Sequence, residues 1–302
     1  MSGQASTNLQ TGKRSADPRL TGFKHSRWGK LLYRLSRSRS GQFGLLLTLI
    51  LIVLSVGAPI FTSVDPTSMD YAAILRAPDA AHPMGTDDFG RDLFSRVLYG
   101  ARISILVGLV VSIATTLTGV VIGSIAGYYQ RLDNPIMRVM DILMAFPSIL
   151  LALGIVAILG PQLINIIIAL IVPYTPLSAR VVRGEILALK RQEFVEAARC
   201  LGGRDTRIIF RHLLPNTLAP LMVQQTAIIA FAILAESGLN FLGVGVPPEV
   251  PTLGAILSEA RVHLRNAPWI SIYPGFFISA LVLGFNLLGD GLRDILDPRM
   301  KI

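Results

Sequence analysis

The sequence predicts an all-α integral membrane protein with six transmembrane helices, and three observations carry that expectation. The first is composition. Of 302 residues, 52% are hydrophobic and only 16% charged, with a mean hydropathy of +0.57, whereas soluble domains carry about 25% charged residues. The second is a set of apolar runs, several of which approach the ~20 residues that a helix needs to cross a bilayer. Runs of this kind satisfy their own backbone hydrogen bonds in lipid as helices. The third is where the basic residues fall. With the N-terminus in the cytoplasm, segments 1–41, 128–138, 180–215 and 290–302 hold 22 of the 28 Lys and Arg, as the positive-inside rule requires. The net charge of +9 therefore reports a multi-pass topology with both termini cytoplasmic, and not nucleic-acid binding.

The elements follow in order. Residues 1–41 are rich in Ser, Gly, Lys and Arg, which predicts a disordered basic tail. Its end, "RWGKLLYRLSRSRS", has the character of a basic amphipathic surface helix. No cleaved signal peptide is expected, because about 40 polar and basic residues precede the first apolar run. That run, 43–61, and the polar outer segment after it, with its Asp-Pro and Ala-Pro turns, make up a unit of 42–100. Spans at 103–128, 139–159, 163–182, 218–239 and 270–288 lie in the core, 101–302. The single cysteine, Cys200, excludes an intramolecular disulfide framework and a Cys-rich metal site.

Helices in lipid associate where small residues let backbones approach. Gly119, Gly123 and Gly127 recur every fourth residue of the second span and predict a packing face inside the bundle; a contact with a second membrane subunit is the alternative. Prolines 147, 161, 173 and 176 remove helix hydrogen bonds in or beside the third and fourth spans, where broken backbone must be buried or line a cavity. Asp141 stands three residues after Arg138, the spacing of a helical ion pair. Glu236, with Ser237 and Asn240 close by, is an intramembrane ionisable group and so a candidate for a translocation path; reaching the water interface is the alternative.

The stretch "EFVEAARCLGGRDTRIIFRHLLPN", 193–216, reads as soluble. Phe194, Ala197, Ala198 and Leu201 share one helical face, Gly202-Gly203 stops the helix, and Asp205 or Thr206 can cap a second one. Ile209 and Leu213 line that second helix until Pro215 opens the next span. Anchored between spans, the stretch is expected to lie crosswise on the cytoplasmic membrane surface, suited to transmit a push from a soluble partner; a cytoplasmic loop without a partner is the alternative from spacing alone. A DNA-binding helix-turn-helix is disfavoured by that anchoring.

These residues resemble a family. Glu196, Ala197, Ala198, Gly202, Leu214 and Pro215 match the EAA motif of permease subunits of bacterial ABC importers, with His212 where the general motif has an aliphatic residue. "HPMGTDDFGRDLFSRVLYGARISILVG", "FLGVGVPPEVPTLGAIL" and "FNLLGDGLRDILDP" are similar to the peptide/nickel branch, in order and at family-like spacing from about residue 80 onward. The chain therefore resembles the "C" type subunit of dipeptide, oligopeptide or glutathione permeases, which implies a type I ABC importer permease fold.

The resemblance implies that 193–215 contains the coupling helix, with Phe194, Glu196, Ala197, Ala198, Leu201 and Gly202 at the contact with a cytoplasmic ATPase. It implies a sister permease forming a heterodimer, two ATP-binding subunits, an extracytoplasmic substrate-binding protein, and the bacterial inner membrane as location. No cofactor or metal is expected in this chain; ATP and Mg belong to the ATPases, and no GxxxxGK[ST] loop is present here. Short peptides are the favoured cargo, with nickel complexes, glutathione or other small solutes as alternatives.

Two charged groups are ambiguous from sequence. His82, Asp87, Asp88 and Asp92 could ligate a metal, but acidic residues also favour helix N-termini, and Thr86 or Asp87 could cap a helix bearing Phe89, Leu93, Val97 and Leu98. Asp290, Arg293, Asp294 and Asp297 suit ion pairing within the bundle or with the sister permease better than ATPase contact. An intramembrane enzyme is disfavoured, since His25, His82, His212 and His263 all fall outside the spans and the spans hold no paired aspartates. A secondary transporter is disfavoured by the absence of an evident inverted repeat.

Overall fold

A computed structural model describes residues 39–247 and 249–296, so most of the basic tail, the surface helix expected at its end, and Asp297 lie outside the described residues. The described chain is helical, without β-strands beyond an isolated bridge between Thr86 and Asp92. Helix α1 (Arg39–Val56) is followed at Gly57 by the four-residue α2 (Ala58–Phe61), whose proline sits in the first turn. An irregular segment then leads to α3 (Leu93–Tyr128), 36 residues and so about 54 Å long. That length exceeds a ~30 Å hydrocarbon core, so α3 is longer than one crossing requires. Its N-cap is Asp92, whose carboxylate accepts from the Ser95 N–H at 2.8 Å. Thr86 and Asp87, the expected caps, lie in the loop before it.

The expected third span is not one helix. It is α4 (Gln130–Ala145) and α5 (Ser148–Leu159), bent by 90°. The cause is local: a proline disfavours helical geometry in the residue before it, and Phe146 accordingly sits at φ −93°, ψ 140° ahead of Pro147. The polar α4 residues Asp133, Asn134, Arg138 and Asp141 are a second reason, since a polar stripe suits a surface better than lipid. Asp141 pairs with Arg180 at 2.8 Å, not with Arg138. Helix α6 (Leu163–Leu189) continues through both of its prolines.

After α6 come α7 (Glu193–Cys200) and α8 (Asp205–Ile208), then a π-turn at Ile209–Leu213 that runs into α9 (Leu214–Phe241). Pro215 accounts for the π-turn, because it lacks the N–H that a regular ladder would use. The short α10 (Leu253–Ala260) and the long α11 (Trp269–Leu296) complete the chain. By length and apolarity α3, α6, α8–α9 and α11 cross a membrane, the α4–α5 pair is a fifth broken span, and α1 is a shorter apolar helix.

Packing follows the small residues. A Cβ on Gly119 would lie 2.4 Å from the Ser178 Cβ, and one on Gly123 would lie 2.5 Å from the Ala179 carbonyl. The glycine stripe of α3 is therefore the seam with α6, as its spacing predicts. Three apolar cores fill the bundle. One surrounds Leu93, Ile233, Ile256 and Leu281, a second Val107, Ile166, Leu170 and Leu239, and a third Val182, Ile186, Val195, Ile208 and Leu213 at the α7 end.

Candidate coupling surface and buried polar sites

Helix α7 is held from one side and bare on the other. Val195 is fully buried in the third core and Ala198 is half-buried beside it, while Phe194, Glu196, Ala197 and Leu201 are exposed, Leu201 at 89%. Val195, which no sequence motif singles out, is the inward anchor of the helix, and Phe194 beside it faces outward. The helix ends in a Schellman motif, with Gly203 N–H donating to the Ala198 carbonyl at 3.0 Å and Gly202 N–H to that of Arg199 at 2.9 Å. Gly202 takes φ +76°, a conformation that only glycine adopts without strain.

Tyr128, at the end of α3, fixes this platform, and no sequence motif singles it out. Its hydroxyl donates to Asp205 at 2.5 Å, its carbonyl accepts from Lys190 at 2.5 Å, and Arg199 lies over its ring. Asp205 is thus a tether rather than a cap, and the residue before α8, Arg204, makes no side-chain cap either. Arg183 grips Asp133 with two hydrogen bonds, tying α6 to α4. Glu196, Lys190, Arg199 and Asp133 line a cleft of about 360 Å³ beside α7.

Two polar nodes lie within the bundle. Glu236 is fully buried and receives only donors: Ser104 Oγ at 2.7 Å, Asn240 Nδ2 at 2.6 Å and Ser237 Oγ at 3.3 Å. Asn240 accepts in turn from the Val246 N–H at 2.9 Å, so the node clamps the loop after α9. Glu236 does not reach the protein surface. A second node, invisible in sequence, is Gln225, which accepts from Ser112 and Thr115 and donates to Ser178 at 2.8 Å, joining α3, α9 and α6.

At the opposite end from α7, the four residues read as one charged cluster separate. His82 Nδ1 meets Asp92 at 2.9 Å, whereas Asp87 is buried against Arg91 and Arg96. Both arginines also engage Glu259 of α10, at 3.0 and 2.7 Å. Arg96 and Glu259 escaped notice because they are 163 residues apart. Carboxylate oxygens of Asp87, Asp88 and Glu259 lie within 4.8 Å of one another, yet two guanidinium groups already occupy those of Asp87 and Glu259. The arrangement is an ion network that staples α10 to the start of α3. Burial pushes the Asp88 carboxyl above its usual range, and the neighbouring charges of Asp87 and Glu259 push it the same way.

A cavity of about 490 Å³ opens at the α4–α5 break, between α6 and α9.

Residues 119–302 match the family described as the inner membrane component of binding-protein-dependent transport systems, and residues 26–78 match the N-terminal transmembrane domain of oligopeptide transport permease C. The chain belongs to this transport family. A Brucella suis protein named for a peptide transport system permease is 49% identical over 269 residues, 89% of this chain and 91% of that one. The dipeptide transport system permease protein of Alkalihalophilus pseudofirmus is 44% identical, with 91% of each chain covered. A glutathione transport system permease protein of Pectobacterium atrosepticum is 40% identical, covering 91% of this chain and 92% of that one. Among solved structures, a chain of the MetNI methionine ABC transporter in inward-facing conformations superposes with a TM-score of 0.56 at 20% identity, covering 66% of this chain and 96% of that one. The permease thus has the type I ABC importer fold and serves as a membrane subunit, in a family whose permeases are non-catalytic.

Proposed function

We propose that the permease forms half of a translocation path for short peptides and is driven by cytoplasmic ATPases through α7. The observation that carries this reading is the bare apolar face of α7, Phe194, Ala197 and Leu201, on a helix whose other side is locked by Val195 and Tyr128. Apolar side chains presented together on a surface mark a contact site, and the small Ala197 and Ala198 let a partner backbone come close. Glu196 supplies a polar contact and Gly202 the turn. ATP and Mg are bound by the two ATPases, whose closure moves α7 and, through Tyr128 and the third core, α3 and α6. A state change of this kind requires that each ligand prefer one state.

On this reading α7 and both termini are cytoplasmic, and the 62–92 segment with α10 faces an extracytoplasmic binding protein. A sister permease completes the path as a heterodimer. Glu236, Ser237 and Asn240 close its outer end by holding the loop after α9. The peptide and dipeptide relatives support peptides as cargo; the glutathione relative supports a tripeptide-like solute of the same class.

Tagged purification from native membranes tests this assembly. Recovery of a second permease and of ATPases is expected, with ATPase activity stimulated by loaded binding protein. Isolation of the chain alone, with transport intact in Leu201→Asp, would sink the coupling assignment.

A further inference from the structure

The Phe146–Pro147 break places irregular backbone at the surface of a membrane segment. Ala145, Phe146 and Pro147 are exposed in this chain, and no side chain caps the start of α5. Helix ends carry N–H and C=O groups without intrahelical partners, and such groups do not face lipid within the hydrocarbon region; they are buried in protein or line a water-filled space. The face bearing the break therefore opens on the transport path or its seam, and the cavity opens with it.

The depth and lining of the cavity say what it can hold. Tyr174, on its wall, lies 11 residues into α6, about 16 Å along the helix and so near the middle of a ~30 Å core. The cavity measures about 490 Å³, within the ~300–1,000 Å³ usual for small-ligand sites. Leu143, Met144, Phe231 and Leu234 line it, no lining residue is charged, and Ser148 and Tyr174 bring its only side-chain hydroxyls. The Tyr174 hydroxyl is turned back to the Phe231 carbonyl at 3.3 Å. A peptide backbone would stay in the wet path, where its polar groups remain hydrated. An apolar side chain projecting from it would gain by entering the cavity.

We propose that this cavity receives an apolar side chain of the passing peptide, so that the permease itself, and not only its binding protein, sorts peptides by side chain. The proposal rests on the peptide reading above.

The test uses the complete transporter in proteoliposomes, comparing uptake of Leu-Leu-Leu with Gly-Gly-Gly. Leu234→Trp, which fills the cavity, should lower the trileucine-to-triglycine ratio about tenfold or more. An unchanged ratio, or equal loss of both peptides in an assembled complex, would overturn the proposal. A wild-type transporter that takes up neither peptide would instead refute the peptide reading, and this proposal with it. Because Leu234→Trp could disturb folding, the wild-type complex provides an independent readout. During ATP turnover, a tripeptide carrying photo-leucine should label Leu143, Met144, Phe231 or Leu234. Label confined to other surfaces, or a cavity that labels only with a photoreactive lipid, refutes it.

Discussion

Val195 on α7 and Leu201 at its C-cap should behave in opposite ways. Leu201→Asp leaves stability within about 0.5 kcal/mol, as surface changes usually do, yet should abolish ATPase recovery in a pull-down. Val195→Ala should cost about 1.5–3 kcal/mol from lost burial and the void left behind, seen as a lower melting temperature in detergent. Arg96 is the most consequential charge outside α7. It is 1% exposed and faces both Asp87 and Glu259, so Arg96→Met leaves those two carboxylates to Arg91 alone and should cost about 3 kcal/mol, the low end for breaking a buried ion pair. Two nearby carboxyls respond to acid with opposite signs. Burial and the neighbouring carboxylates make the ionised form of Asp88 costlier in the fold than in the unfolded chain, so its penalty is relieved as pH falls through its raised folded value towards 3.8. Asp79, held below 3.8 by the backbone N–H of His82, contributes stability above 3.8 that is lost as pH drops through its folded value. Asp88→Asn should therefore raise the melting temperature at neutral pH and remove the gain seen on mild acidification; a parallel shift at every pH would contradict this.

The elements show where sequence suffices and where it stops. The α3–α6 seam was legible because glycines every four residues fall on one helical face, where Ser178, Ala179 and Val182 of α6 lie close. Gly123→Leu should accordingly force α3 off the Ala179 backbone, at a cost at or above the usual ~1–3 kcal/mol for overpacking, measurable by thermal unfolding. The α4–α5 break was not legible, although Pro147 was noted. Hydropathy is continuous across Val139–Leu159, and it reports how apolar a segment is rather than which way its axis points. On α7 Phe194 and Val195 are apolar neighbours, and only the third core decides which of them faces in. Tyr128–Asp205 and Arg96–Glu259 are contacts between distant segments, and periodicity carries no information about them.

At the scale of the whole molecule, a chain of polar and tightly packed contacts runs from α7 through Tyr128 to α3, along the glycine seam to α6, and by Gln225 and Glu236 to α9 and the loop after it. Its sidedness has a built-in reporter. Cys200 is exposed on α7 and is the only cysteine. A membrane-impermeant maleimide should label it in inside-out vesicles and not in intact cells, and bound ATPase should protect it; labelling of intact cells would reverse the topology. The π-turn at Ile209–Leu213 decides how this chain answers a change in its length. Each residue of an α-helix advances the azimuth by about 100°, and a π-turn holds one residue more than the α-helix around it. The extra residue is taken up inside the turn, so removing it would restore the regular ladder with little change of heading, whereas removing one residue from the regular part of α9 would swing everything upstream by about that angle about the α9 axis. The α7 platform would then keep every side chain it uses and point them the wrong way, so its heading is encoded by the length of the chain and not by its chemistry.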